Sequence, residues 1–210
     1  MPTPRKRFEA SLQTQASDYG VQLKESAVGR LGRYYDLLMK WNARLHLVAP
    51  CSPEQFATRH VLESLLLLPH LRPEARLIDV GSGAGLPAIP CLIARDDLRG
   101  ILIESSRRKA VFLKEALREL DLAQRAEIIE ARFEETVAPT ADAVTCRALE
   151  RFHAVTRSLI EWAPATSTFL LFGGEALCAE VERFLPWARA EKIPKSERRF
   201  LVIAARTAAP

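Results

Sequence analysis

Short apolar runs alternate with helical patterns from residue 76 to the end of the chain, and this alternation restricts the fold more than any other feature. Strands that alternate with helices form βαβ units, so the sequence predicts an α/β fold whose mostly parallel sheet has helices on both faces. The spacing of Leu177, Val181 and Phe184 predicts that the last helix extends to Ala188. The predicted strands lie at about residues 77–80, 101–103, 128–129, 143–146, 168–172 and 200–205.

The segment before this alternation has only helical signals. Apolar side chains recur at spacings of three and four over residues 24–47, and Ser52 followed by Pro53 can cap a second helix that runs to about Pro69. The first ten residues are basic and contain prolines, so we expect them to be loose. These patterns divide the chain into a helical cap, residues 1–72, and a sheet domain, residues 73–210.

Composition excludes several classes of protein. The 210 residues are 48% hydrophobic and 27% charged, which is ordinary for a globular domain, and the longest apolar run is far too short to cross a membrane. Four well-separated cysteines indicate a reduced compartment and no zinc site. We therefore expect a cytoplasmic monomer without a metal. The net charge of +4 permits an anionic partner such as nucleic acid.

Each of the first four predicted strands is followed by a glycine or a polar residue. Ligands of open parallel sheets bind outside the carboxyl ends of the strands, so these residues should meet at one edge. They are Gly81, Gly83 and Gly85 after the first strand, Glu104 after the second, Phe133 and Glu134 after the third, and Arg147 after the fourth.

The glycine string predicts a loop that approaches a ligand with its backbone. It departs from the dinucleotide fingerprint because Leu86 replaces the third glycine, and Pro87 and Pro90 crowd the helix start. Glu104 follows 19 residues after the loop, where a carboxylate can accept both hydroxyls of a ribose. Asp79 can bind the N–H groups of the loop or balance positive charge on the ligand. A nucleoside cofactor without a pyrophosphate, such as S-adenosylmethionine, fits this pattern.

Four segments together resemble the bacterial 16S ribosomal RNA guanine-N7 methyltransferase family, RsmG or GidB. The resemblance covers about residues 31–205, and its most specific string is Gly-x-Gly-x-Gly-Leu-Pro-x-Ile-Pro. The segments are Lys40-Trp41-Asn42, residues 59–64, residues 78–90, and Cys146-Arg147-Ala148.

The resemblance implies a class I S-adenosylmethionine-dependent methyltransferase, Rossmann-like, with an N-terminal helical extension. It implies that the substrate is the N7 of one guanine near the decoding region of 16S rRNA, as free RNA or in the 30S subunit. The implied cofactor contacts are Gly81, Leu86, Glu104, Phe133, Glu134 and Arg147. A helical face with Arg59, His60 and Ser64 would border the pocket, and with Arg147 these are the candidate catalytic residues.

The chain also departs from the family pattern. Gly173 stands where many members have a lysine, Ala84 where proline is common, and residues 46–48 replace Asn-Leu-Thr. Two other readings therefore stay open: an RNA-binding or assembly module with a degenerate methyltransferase site, and a methyltransferase that acts on another RNA. A nicotinamide-dependent oxidoreductase is disfavoured by Leu86 and the two prolines. Basic clusters at residues 5–7, 107–109 and 192–199 could contact phosphates.

Overall fold

The computed structural model describes residues 1–147 and 152–207, and its centre is one seven-stranded sheet. The strands are β1 (Arg76–Val80), β2 (Arg99–Ile103), β3 (Ala126–Ile129), β4 (Ala143–Arg147), β5 (Thr168–Gly173), β6 (Trp187–Lys192) and β7 (Phe200–Ala205). Their order across the sheet is β3-β2-β1-β4-β5-β7-β6. The first five strands are parallel, and β7 runs antiparallel to both β5 and β6. The predicted α/β fold with a mostly parallel sheet is confirmed.

Eight α-helices surround the sheet in the described part of the chain. They are α1 (Pro4–Gln15), α2 (Glu25–Leu45), α3 (Pro53–Phe56), α4 (Glu63–Leu65), α5 (Ala88–Ala94), α6 (Arg107–Glu119), α7 (Phe152–Trp162) and α8 (Glu175–Phe184). Ser52 caps α3, and its backbone N–H is bound in turn by the side chain of Gln55. The helix predicted to reach Pro69 instead passes through a π-helical segment, Ala57–Leu62, and stops as an α-helix at Leu65.

Alternate residues of each strand face two different helix layers. Leu77 and Leu102 belong to a hydrophobic cluster with α1, α2, α5 and α6, whereas Ile78 and Val80 belong to a second cluster with α7 and α8. Because both sets of alternate residues are buried, the central strands appear in the sequence as continuous apolar runs. Both faces of the sheet are therefore covered by helices.

The expectation that the first ten residues are loose is wrong. Thr3 accepts a hydrogen bond from the N–H of Lys6, and Pro4 occupies the first position of α1. Phe8 and Leu12, four residues apart, are fully buried, and the ring of Phe8 stacks on Tyr35 at 4.7 Å. This helix packs on α2 through a short apolar stripe. The stripe was missed in the sequence because basic residues surround it.

The prediction that the last helix extends to Ala188 is also wrong. Helix α8 ends at Phe184, and Trp187 begins strand β6, which pairs only with β7 at the edge of the sheet. Most of this strand is exposed and charged, as edge strands often are. Because only one side of the strand is paired, its sequence lacks the apolar run that marked the central strands.

Candidate functional site

The loop after β1 is held in a conformation that glycine adopts readily. Gly81, Gly83 and Gly85 have φ angles of 71°, 51° and 80°. A Cβ atom on Gly85 would lie 2.3 Å from Cδ1 of Ile89. The N–H groups of Gly81 and Ser82 both donate to the carbonyl of Ile103, which ties the loop to the end of β2. The loop therefore presents backbone to the carboxyl edge of the sheet, as predicted.

Glu104 lies against this loop. Its Oε2 accepts a hydrogen bond of 2.8 Å from the N–H of Gly83, and its Oε1 accepts one of 2.7 Å from the N–H of Ser106. The residue is only 6% exposed. Each oxygen of this carboxylate accepts one backbone hydrogen bond and keeps acceptor capacity, which suits the paired hydroxyls of a ribose.

Asp79 is a fully buried carboxylate just before the loop. Neither of its side-chain oxygens has a partner within hydrogen-bond geometry among the described residues. Burial raises the pKa of Asp79 to about 7, although the nearby Ser82 hydroxyl and Ala88 N–H act to lower it. An unsatisfied buried carboxylate beside a backbone cradle fits a ligand that carries positive charge, and S-adenosylmethionine is such a ligand.

Tyr34 is a contributor to the site that sequence reasoning missed. The sequence pattern places this residue on the apolar face of α2, and it is indeed fully buried. Its hydroxyl, however, donates a 2.7 Å hydrogen bond to the carbonyl of Ala84 in the glycine loop. The available signal was chemical, because a buried tyrosine hydroxyl normally requires a partner. Helix α2 thus supports the loop directly.

A cavity of about 180 Å³ opens beside the loop at the ends of β1, β2 and β3. The structure brings three predicted cofactor residues together there, since Gly81, Phe133 and Glu134 all line it. The ring of Phe133 is fixed edge-on against Trp162 at 5.4 Å. The cavity therefore has one aromatic wall and an exposed carboxylate at its rim.

Arg147, at the end of β4, belongs to a buried ion cluster. Its guanidinium donates to Glu63 at 3.0 Å and to the backbone carbonyls of Arg59 and His60, and it lies 5.4 Å from the ring centre of Phe172. Glu63 is 1% exposed and also accepts two hydrogen bonds from Arg199. Sequence reasoning named Arg147, gave Glu63 no role of its own, and counted Arg199 in a basic cluster that could contact phosphates. Charge balance was the missed signal, because a buried arginine requires an acceptor.

The candidate catalytic residues of the helical cap lie beside this cluster. Arg59 is exposed and His60 is half-buried, and both belong to the π-helical segment. Burial and the charges of Arg147, Arg59 and Arg199 lower the pKa of His60 to about 3. Ser64 is fully buried, and its hydroxyl donates to the carbonyl of His60. Ser64 therefore positions the backbone of this segment.

Two other predicted positions have a packing role. Leu86 is 7% exposed and joins the core cluster under the loop. Gly173 replaces the family's lysine for a visible reason: a Cβ atom there would lie 2.4 Å from Cδ2 and 2.8 Å from Cβ of Leu177. Helix α8 thus packs too closely on the end of β5 to admit a side chain. Ala148, the last residue of the third predicted motif, lies outside the described residues.

A larger cavity, of about 530 Å³, lies at the opposite edge of the sheet and contains none of the predicted site residues. The charges of the side chains that line it are largely balanced by ion pairs, such as Arg72 with Asp142 and Arg125 with Asp96. No group of three or more metal-ligating side chains occurs within residues 1–147 and 152–207. In the same ranges, no helix is long and apolar enough to cross a bilayer.

Comparison with known proteins decides the family. A family model described as rRNA small subunit methyltransferase G, GidB, matches residues 28–204. The chain belongs to this family. A curated member from Anaeromyxobacter dehalogenans is 37% identical over 169 residues, which are 80% of this chain and 75% of that protein. Another, from Nitrosomonas eutropha, is 42% identical over 137 residues, 63% of each chain. Both are named ribosomal RNA small subunit methyltransferase G.

Solved structures confirm the fold class of this GidB-family chain. The mitomycin 7-O-methyltransferase MmcR superposes with a TM-score of 0.59 at 16% identity, covering 98% of this chain and 74% of that one. An S-adenosylmethionine-dependent methyltransferase from Aquifex aeolicus gives a TM-score of 0.54 at 15% identity, covering 71% and 92%. The predicted methyltransferase fold is therefore confirmed. The family model and the curated relatives confirm the predicted family and methyl transfer as its class of reaction.

Proposed function

We propose that this chain transfers a methyl group from S-adenosylmethionine to the N7 of one guanine in the decoding region of 16S rRNA. One observation carries the proposal: a glycine loop with the carboxylate of Glu104 against its backbone, in a chain of the rRNA small subunit methyltransferase G family. The names of the curated relatives support small-subunit rRNA as the substrate. The acceptor would be the free RNA or the 30S subunit.

The cofactor would be held at the carboxyl edge of the sheet. When bound, it would supply a methyl carbon on a positively charged sulfur, and as a lone pair bonds to that carbon in line, the carbon–sulfur bond would break and release a neutral thioether. Glu104 would accept the ribose hydroxyls, and Asp79 would face positive charge on the cofactor. The other proposed cofactor residues shape the loop or line the adjoining cavity: Gly81, Gly83, Gly85, Leu86, Phe133 and Glu134. Arg147 would act from the end of β4, where Glu63 holds its guanidinium.

The protein groups around the acceptor need to align it rather than deprotonate it. N7 of guanine carries a lone pair and serves as an acceptor in the major groove, so transfer to it requires no general base. A neutral His60 suits this task, since its pKa of about 3 keeps the imidazole uncharged beside a base that becomes cationic. Glu63 holds the guanidinium of Arg147. Alignment alone can lower a barrier by about 7–11 kcal/mol.

The N-terminal helices would act as a cap on this site. We assign residues 1–72 to the cap and residues 73–210 to the Rossmann-like methyltransferase domain, in a cytoplasmic monomer. The contacts that support this assignment are the bond from Tyr34 to Ala84 and the ion pair of Glu63 with Arg147, because both join the cap to the strand ends.

The deciding experiment is a methyl-transfer assay with labelled S-adenosylmethionine. The acceptors are 30S subunits lacking the modification and, in parallel, naked 16S rRNA, followed by nucleoside analysis. We expect label in 7-methylguanosine. Label in another nucleoside would contradict the N7 assignment. Cofactor binding without transfer to either acceptor would instead favour the degenerate RNA-binding module.

The candidate role of His60 gives a separate prediction. We expect His60→Ala to lower methyl transfer by about tenfold to a hundredfold without changing the affinity for S-adenosylmethionine, because misplacing an acceptor by about 1 Å can cost that much. Because the imidazole is already neutral, the rate should show no histidine titration between pH 6 and 8. His70→Ala, at the distant contact with Glu191, is the control. An unchanged rate in His60→Ala would remove this role.

A further inference from the structure

A shallow groove beside the carboxyl edge has an aromatic floor and basic walls. It measures about 330 Å³ and is lined by Trp41, Arg44, Leu45, Arg108 and Val111. The first three residues lie at the end of α2, and the last two lie in the first turns of α6. None of them belongs to the loop, the cavity at β3 or the ion cluster described above.

The indole of Trp41 is fixed in this groove. Its Nε1–H donates a 3.2 Å hydrogen bond to Glu115, and its ring meets Phe112 edge-on at 6.0 Å between centroids. The side chain is only partly buried. Val111 beside it is 45% exposed, which is unusual for a large apolar residue in the described chain. The groove is therefore a preformed apolar platform that no residue within 1–147 and 152–207 covers completely.

The two arginines at the walls are uncompensated. Arg44 and Arg108 are exposed, and within the described ranges neither forms an ion pair with a carboxylate. Lys40 and Arg107, next to them along the same helices, are exposed as well. Other exposed arginines of these helices do have acidic neighbours, such as Arg33 with Asp121 and Arg118 with Glu119. Positive charge thus accumulates at the ends of the two helices that face the carboxyl edge.

We propose that this groove binds an unstacked nucleotide of the RNA substrate, with its base on Trp41 and its flanking phosphates on Arg44 and Arg108. Single-stranded RNA is commonly held by bases that stack on aromatic rings while basic side chains contact the backbone. An indole and two guanidiniums without ion pairs among the described residues line this groove together and provide both parts. The alternatives fit less well: an apolar helix would leave these charges without partners, and a second copy of the chain carries a net charge of +4 itself.

The position of the groove ties it to the site. Arg108 lies in the helix turn that directly follows Ser106, whose N–H is bound by Glu104. A nucleotide held here would therefore lie next to the cofactor side of the active site, and it would anchor the strand that carries the methylated guanine. This inference rests on RNA as the substrate in the proposed function.

The test removes the charges and the ring separately. Arg44→Gln with Arg108→Gln should reduce the slope of log affinity against log salt by about 1.4 for naked 16S rRNA, since each single-strand phosphate contact contributes about 0.7. The control is Arg33→Gln with Arg118→Gln, which takes the same charge from the same two helices. Trp41→Leu should weaken RNA binding about tenfold, whereas Trp41→Phe, which keeps a ring, should lose much less.

The affinity for S-adenosylmethionine, measured by calorimetry, should stay unchanged in every variant. The proposal is overturned if the variant with Arg44→Gln and Arg108→Gln binds 16S rRNA with the wild-type salt slope. It is also overturned if the control variant shows an equal reduction of that slope. It is also overturned if only methylation of 30S subunits falls, which would assign the groove to a ribosomal protein. A wild-type dimer that Trp41→Leu dissociates would assign it to a second copy. If the wild-type protein neither binds nor methylates rRNA, the proposed function is wrong, and so is the proposal that the groove binds RNA.

Discussion

Two buried carboxylates near the strand ends differ in how their charge is compensated. Glu63 accepts hydrogen bonds from two arginines and is 1% exposed, so its charge is balanced inside the protein. Asp79 is fully buried and has no hydrogen-bond partner among the described residues. The first carboxylate is structural, since it holds Arg147 and Arg199 in place. The second has no such compensation, and its burial raises its pKa to about 7.

The raised pKa of Asp79 predicts a pH-dependent loss of stability. An unfolded aspartate ionises near pH 4, but the folded protein retains the proton until about pH 7, so the folded state is favoured below pH 4 and loses this advantage as the pH rises to 7. Between pH 4.5 and 8, wild-type protein should therefore lose about 3 kcal/mol relative to Asp79→Asn, at about 1.4 kcal/mol per pH unit up to pH 7.

Urea unfolding of the two proteins without cofactor measures this difference. Asp36→Asn serves as the control because it makes the same substitution at an exposed aspartate of α2. A constant difference between wild type and Asp79→Asn over this range would show that Asp79 ionises normally.

At the scale of elements, helix α2 and the glycine loop behave as one unit. The hydroxyl of Tyr34 reaches across from the helix to the carbonyl of Ala84, and the loop itself is tied to β2 through Ile103. The loop is therefore supported on both sides, by a strand and by the cap. Its backbone geometry depends on contacts from parts of the chain about 50 residues before it and 20 residues after it.

Tyr34→Phe should loosen this support. The change removes one hydrogen bond and leaves a buried carbonyl unpaired, at a cost of about 1–3 kcal/mol in unfolding free energy. Affinity for S-adenosylmethionine should fall as well, because the loop loses its anchor. Tyr35→Phe is a closely matched control, since the neighbouring tyrosine packs on Phe8 through its ring. Equal stability losses in the two variants would argue against a special role for the Tyr34 hydroxyl.

The loop itself gives another prediction. Gly85→Ala should destabilise the protein by more than Gly20→Ala, because both residues have positive φ but only Gly85 lacks room for a Cβ atom. The overlap with Ile89 should add about 1–3 kcal/mol to the cost of the backbone strain. Denaturant midpoints of the two variants measure the difference. In the double variant Gly85→Ala, Ile89→Ala, the shorter side chain at residue 89 would relieve the overlap but leave a new cavity. Because these two effects on stability oppose each other, cofactor affinity is the more useful measurement for the double variant.

At the scale of the whole molecule, the cap and the sheet share one hydrophobic cluster. Phe8 and Leu31 of the cap lie in the same cluster as Leu77 and Leu170 of the sheet. The cap is therefore part of the core on that face rather than a detachable appendage. This arrangement explains how a residue such as Glu63, in the helical third of the chain, can reach the end of β4.

Phe8→Ala tests whether α1 contributes to this core. The ring is fully buried, so its loss should cost about 3–5 kcal/mol in unfolding free energy. Lys6→Ala, on the exposed side of the same helix, should change stability by less than about 0.5 kcal/mol. Thermal or urea unfolding of the two variants is sufficient. A small effect of Phe8→Ala would mean that the helix is only loosely attached.

Much of the fold could be predicted from the sequence because the patterns that indicate its strands and helices are local. The central strands are buried on both faces, so they appear as uninterrupted apolar runs such as residues 77–80. The exposed edge strand β6 and the basic helix α1 were misread, because their burial depends on one neighbour and leaves a weak pattern. Glu104 and the glycines were found because a strand end and a turn mark them directly.

The amino-acid order by itself determined the α/β class and the glycine loop at the end of β1, and it carries the motifs by which the chain resembles its family. The fold class follows from hydrophobic periodicity and the loop from glycines in a turn, which act within a few residues of each other. Only the tertiary structure decided that Tyr34 supports the loop, that Glu63 balances two arginines, and that Asp79 lacks a partner. Burial, charge balance and hydrogen bonding between distant segments depend on three-dimensional distances, which no local pattern encodes.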